Sequence, residues 1–173
     1  MARPLTVNAA EMLRRPGIEK TLECSLDPVE LGLSDTRFES TDLVGVNLRL
    51  ESLTDAIVVV GTISVPWHGA CRRCLRSLGD IAVCDVDELY QTVVTNPEAF
   101  PIADNQLDLL PMVREVALLD APAAPLCRLD CAGLCPTCGA DLNETSCACE
   151  VPVEESRWPI LDELKAHLDG NAN

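Results

Sequence analysis

Eight of the ten cysteines in this 173-residue chain fall into four close pairs, and no other feature constrains its fold as tightly. Three pairs crowd one C-terminal stretch: Cys127/Cys131, Cys135/Cys138 and Cys147/Cys149. The fourth, Cys71/Cys74, lies far upstream. Two thiolates this close in sequence can reach the same tetrahedral ion, and a structural zinc takes four such ligands. Four pairs therefore make two complete sites, with no pair left over.

The redox compartment decides how such cysteines are read. The N-terminus, Met1-Ala-Arg-Pro-Leu-Thr-Val-Asn, has no apolar signal segment behind its arginine, and no apolar run approaches a bilayer span. A cytoplasmic location is expected, with no membrane partner. In a reducing compartment, dense Cys-x-x-Cys spacing favours metal over disulfide. The expected cofactor is Zn²⁺, as two structural ions. The formal net charge is −15, and eight thiolates with two Zn²⁺ would take it to about −19. Such a surface repels nucleic acid as a whole, so any RNA contact has to be local or made through a protein.

Apolar residues make up 47% of the chain and aromatics only 3%, so Val, Leu, Ile and Ala must build the core. Asn8 to Leu13 reads as a helical turn ended by Pro16-Gly17, followed by an extended stretch from Lys20 to Leu26. From Val44 the pattern alternates strictly: Val44, Val46, Leu48 and Leu50 face one way, and Gly45, Asn47, Arg49 and Glu51 the other. After a turn at Ser52–Asp55, a β-branched second strand runs from Ala56 to Val65 and is ended by Pro66-Trp67-His68-Gly69. A third strand spans about 80–94, with Cys71/Cys74 on the turn before it. Residues 95–106 read as an acidic, Pro-containing loop. Asp108 is placed to cap a helix with Pro111 in its first turn and Leu110, Val113 and Ala117 on its apolar face. A last helix is expected over 157–168. The fold class is therefore α+β: an antiparallel β-meander core, a few short helices and a C-terminal cysteine-rich, zinc-ribbon-like segment. The expected divisions are a mixed core at 1–125, a cysteine-rich segment at 126–150 and an acidic tail with a short amphipathic helix at 151–173.

Loop-closure entropy favours joining adjacent pairs. Cys135, Cys138, Cys147 and Cys149 would form a small ribbon, leaving Cys71, Cys74, Cys127 and Cys131 as a long-range clamp. Gly139, just after Cys138, suits a knuckle in which backbone N–H groups turn toward sulfur. Two rival schemes stay open: Cys127/Cys131 with Cys135/Cys138, or a cross-braced arrangement. Cys147 and Cys149 also need not both ligate. His68 is a substitute ligand or an ordinary turn histidine. Cys24 and Cys84 sit in strand patterns and read as apolar thiols.

Arg72, Arg73 and Arg76 form the sharpest basic patch. They read either as a phosphate or partner contact or as charge compensation for a thiolate site. No Ser/His/Asp order or Cys/His dyad stands out, and two histidines leave little for acid–base work. The chain is not expected to be an enzyme or to take a small-molecule substrate.

Pro66-Trp67-His68-Gly69-Ala70-Cys71-Arg72-Arg73-Cys74-Leu75 and the run from Leu126 through Cys127, Cys131, Cys135 and Cys138 to Asn143 together resemble the signatures of the YceD family of large ribosomal RNA subunit accumulation proteins. The resemblance implies a ribosome biogenesis factor supporting accumulation of large-subunit ribosomal RNA. Two modes of action fit. One binds precursor RNA or a pre-ribosomal particle through Arg72, Arg73 and Arg76. The other is a zinc-stabilised adaptor or holdase for a basic ribosomal protein or assembly factor. A redox- or zinc-responsive regulator is a weaker third reading.

Overall fold

Val44, Val46, Leu48 and Leu50 are each at most 2% exposed, while Asn47 and Arg49 between them face solvent. This is the alternation expected of a strand with one face on a core. It is seen in a computed structural model that describes residues 5–150 and residue 161. In chain order the elements are β1 (Thr6–Asn8), α1 (Ala10–Arg14), β2 (Glu19–Leu26), β3 (Val44–Ser52), β4 (Ala56–Ala70), β5 (Ser77–Gln91), β6 (Phe100–Pro101), β7 (Gln106–Asp108) and α2 (Leu110–Asp120). The chain divides into two compact units, Met1–Cys131 and Ala132–Asn173.

The first unit is α+β. Its main sheet has the order β2-β3-β4-β5-β6, antiparallel except for the two-residue parallel pairing of β5 with β6. A second ribbon pairs β1 with β7. Along the inner face of the sheet, Ile57, Val59, Ile63 and Val65 of β4 and Cys84, Val86 and Tyr90 of β5 are buried. Met12 of α1, Met112, Val113 and Ala117 of α2, and Leu31, Leu33 and Phe38 of the loop after β2 close over them. Gly61 interrupts the row of branched side chains on this face of β4. Its φ is +150°, and a Cβ there would lie 2.1 Å from the Asn47 carbonyl oxygen, so β3 and β4 approach at a distance that only glycine permits.

Four expectations are corrected. The second strand does not end at Val65 but continues to Ala70, paired with β5 over fifteen residues. Beyond Ser64 it has no β3 partner. The His68 N–H points to that vacated edge and donates to the Arg37 carbonyl at 2.8 Å. Pro66, two residues earlier, faces the same edge, where a missing donor breaks no ladder. The third strand spans Ser77–Gln91 rather than 80–94, because its register follows the longer partner. The expected loop at 95–106 contains β6 and the first residue of β7. Asp108 does not occupy the N-cap of α2, which is Leu109, but its carboxylate accepts the Leu110 N–H at 3.1 Å from one position earlier. The helix expected over 157–168 lies outside the described residues except for Leu161. Among the described residues, no helix is long and apolar enough to cross a membrane.

Candidate metal centre

The prolonged β4–β5 hairpin places Cys71 and Cys74 at its tip. The chain turns there through two backbone hydrogen bonds: Leu75 N–H to Cys71 O at 2.9 Å, and Cys71 N–H to Arg76 O at 2.8 Å. Leu75 takes a left-handed φ of 58°. The other half of the group arrives from the end of α2. There the Arg37 guanidinium donates to the carbonyls of Leu118 and Ala121. The chain then passes Pro125, whose carbonyl accepts the Arg72 N–H at 2.9 Å. Arg73 reaches over and donates through Nη1 to the Cys131 carbonyl at 2.9 Å and the Leu129 carbonyl at 3.4 Å.

These contacts bring four sulfurs within 4.8 Å of one another: Cys71, Cys74, Cys127 and Cys131. Cys71 Sγ lies 3.8 Å from Cys131 Sγ, and Cys74 Sγ lies 3.7 Å from Cys127 Sγ. Those separations are far beyond a disulfide bond. Cys71, Cys74 and Cys131 are buried and Cys127 is half-buried. Backbone N–H groups of Cys74 and Cys127 donate to the Cys71 sulfur and bring its pKa down to about 5 against the cost of burial. Cys127 is pushed up to about 12 by burial and then by the Cys131, Cys74 and Cys71 sulfurs around it. The Cys71 thiolate is thus held ready, while Cys74 and Cys127 resist ionising until a cation offsets the repulsion among the sulfurs.

The second unit holds a group of the same kind. Cys135, Cys138, Cys147 and Cys149 also have all sulfurs within 4.8 Å. The turn repeats the first bond for bond: Gly139 N–H to Cys135 O at 2.9 Å, and Cys135 N–H to Ala140 O at 2.8 Å, with Gly139 at φ 72° in the place of Leu75. Leu134 bridges to Asp141, Leu142 N–H donates to Gly133 O, and the Asn143 carboxamide accepts the Ala132 N–H, so a minimal ribbon forms around the sulfurs. Backbone N–H groups of Cys138 and Thr137 bring Cys135 down to about 6, while the Cys138 thiol and burial push Cys149 up to about 12. This group is more open, with Cys138 exposed and Cys147 and Cys149 half-buried.

Either group supplies a full set of four sulfur donors, so each could hold a metal ion and leave no position for water or substrate. The eight cysteines are thus brought together in the adjacent-pair grouping. The remaining sequence candidates fall elsewhere. His68 faces Asp42 at 3.3 Å and Glu39 at 3.9 Å, away from the sulfurs. Cys84 is buried, and burial followed by the Asp120 carboxylate pushes it up to about 12. Cys24 is only half-buried. The three arginines do not act alike: Arg72, Arg73 and Arg76 are all exposed, but the Arg73 side chain is spent on the two carbonyls that fix the Cys127–Cys131 turn. Arg37 went unnoticed in the sequence, since nothing local marks an arginine whose partners lie more than eighty residues away.

Residues 59–165, more than half of the chain and a span containing both sulfur groups, match the family described as large ribosomal RNA subunit accumulation protein YceD. An uncharacterized protein of Mycobacterium tuberculosis is 32% identical over 150 residues, covering 82% of this chain and 72% of its own. An uncharacterized protein of Mycobacterium leprae is 29% identical over 147 residues, covering 80% and 68%. A chloroplastic large ribosomal RNA subunit accumulation protein YCED homolog 1 of Zea mays is 42% identical over 52 residues, covering 30% of this chain and 18% of its own. No solved structure matches the chain. A match across the hairpin, α2 and both cysteine groups, together with a relative at 32% identity over most of both chains, makes this chain a member of the YceD family.

Proposed function

We propose that this protein is a non-enzymatic, cytoplasmic ribosome biogenesis factor that supports accumulation of large-subunit ribosomal RNA by binding precursor RNA or particles, and that each cysteine group holds one structural Zn²⁺. The family match across both groups carries the biogenesis reading. The sulfur geometry supports the ion. Thiolates about 2.3 Å from zinc at tetrahedral angles stand about 3.8 Å apart, close to the 3.8 and 3.7 Å separations in the first group. Zinc would close the hairpin tip onto the 127–131 turn and hold Arg72 and Arg76 on a rigid edge. With the Arg73 side chain engaged on two carbonyls, the exposed Arg72 and Arg76 present the positive charge of this edge to a phosphate.

A second reading has its own support. A net charge of −15 suits a basic protein partner better than a polyanion. The test is co-sedimentation of zinc-loaded Arg72→Glu/Arg76→Glu protein with large-subunit precursor particles. Loss of co-sedimentation at unchanged zinc content is the expected result. Undiminished co-sedimentation would remove the arginine edge as the contact and leave the protein-adaptor reading.

A further inference from the structure

Helix α2 covers the sheet with Met112, Val113 and Ala117 but has a second apolar side that no other described residue covers. Phe100, Val116 and Leu119 floor a groove of about 380 Å³ between the helix and the far end of β5. Leu119 is 75% exposed. The groove continues around the helix into a depression of about 450 Å³, the two sharing Glu115 and Leu119. Asp87, Glu88, Glu98 and Glu115 stand on the rim of the first. None of the four has a cationic partner among the described residues.

Glu88 is the informative member. It follows Cys84 and Val86 and precedes Tyr90 on the inner face of β5, where all three neighbours are buried. A carboxylate there gives up burial that a leucine or valine would supply. Burial, then the charges of Glu115, Asp87 and Glu98, push its pKa up. A cation in the groove would relieve that repulsion.

An anionic rim turns away nucleic acid and anionic lipid, and a purely apolar ligand would desolvate the carboxylates without pairing them. The complementary ligand carries cations on either side of an apolar side chain. We propose that this groove docks a basic, amphipathic segment of a protein partner. An apolar side chain rests on Phe100, Val116 and Leu119, and lysine or arginine side chains face Glu88, Glu98 and Glu115. The proposal rests on the basic-partner reading above and adds where the partner sits. The site lies on the order of 35 Å along β5 from the Cys71/Cys74 turn, so the two surfaces can be tested apart.

The probe is a synthetic helix-forming peptide of about twelve residues, lysine and leucine at helical spacing, titrated into the ¹⁵N-labelled, zinc-loaded full chain. Amide shift changes are expected to gather at residues 87–88, 98–100 and 112–119. Glu88→Gln with Glu115→Gln should weaken binding about tenfold, whereas Glu23→Gln with Asp55→Asn, an equal loss of charge on exposed positions elsewhere, should weaken it less than about twofold. Equal weakening by both pairs, with shifts scattered over the surface, overturns the groove and leaves a basic partner standing. If the wild-type chain ignores the peptide, whether or not it binds a single-stranded RNA oligonucleotide, the groove and the basic-partner reading fall together.

Discussion

Leu75 and Gly139 sit at the same place in two copies of one turn, each receiving the left-handed bend that follows Cys-x-x-Cys. Glycine takes that bend freely, whereas leucine meets a steric cost of about 1–2 kcal/mol. The Leu75 side chain is 65% exposed, so little packing offsets the cost. Leu75→Gly should therefore stabilise the zinc-loaded protein by about 0.5–1 kcal/mol, once the greater freedom of glycine in the unfolded chain is deducted. The midpoint of denaturant unfolding measures it. A lower midpoint would show that the leucine side chain holds more than its exposure implies. The second turn was legible in the sequence because Gly139 announces it. The first was half-legible: the cysteine spacing marked the turn, but nothing about Leu75 announces the positive φ that the turn takes after its second cysteine. Arg73 shows the same limit. Its charge was visible, and its use on two carbonyls more than fifty residues away was not.

Helix α2 has an N-cap residue, Leu109, that makes no side-chain cap bond, and the local help at that end is the Asp108 carboxylate accepting the Leu110 N–H. Its C-terminal carbonyls are met by Arg37, whose guanidinium also pairs with Asp35 at 2.9 Å and lies over the Phe38 ring at 5.4 Å. A planar, forked cation can serve a helix end and a carboxylate together, which an ammonium cannot. Arg37→Ala should cost about 1–2 kcal/mol and Arg37→Lys should recover less than half of it, read by thermal unfolding. Hydrogen exchange should quicken first at residues 118–121, where the capped carbonyls lie. Equal stability of the Lys variant and the wild type would show that charge alone suffices. Elements with a strong period were legible: β3 by its alternation, and α2 by Leu110, Val113 and Ala117. The extension of β4 past Pro66 was not, because a proline's effect depends on which edge its nitrogen faces. Nor were β6 and β7, two and three residues long, whose ladders depend on Tyr90–Gln91 across an intervening loop and on Thr6–Asn8 at the other end of the unit's sequence.

The two units of the molecule are stabilised in different ways. Every residue of the hydrophobic core lies at or before Ala121, so among the described residues the second unit contributes nothing to it. What residues 132–150 share is the sulfur group and a handful of backbone bonds. A segment this small cannot bury enough apolar surface to fold alone, and for structural zinc sites the binding free energy, about 10–16 kcal/mol, is largely the folding free energy. The first unit has an apolar core besides, so loss of the proposed ion should cost it only the clamp between the hairpin tip and the 127–131 turn. Elemental analysis should therefore find two zinc ions per chain. Cys71→Ser and Cys127→Ser should each lose the same ion, and Cys135→Ser the other. A strong chelator should abolish amide protection at residues 134, 135, 139 and 142 while the β3–β4–β5 ladder stays protected. Protection surviving in the ribbon after both ions are gone would mean that backbone bonds, rather than zinc, hold the second unit. Loss of the ladder along with the ribbon would mean that the clamp, rather than the apolar core, sets the stability of the first.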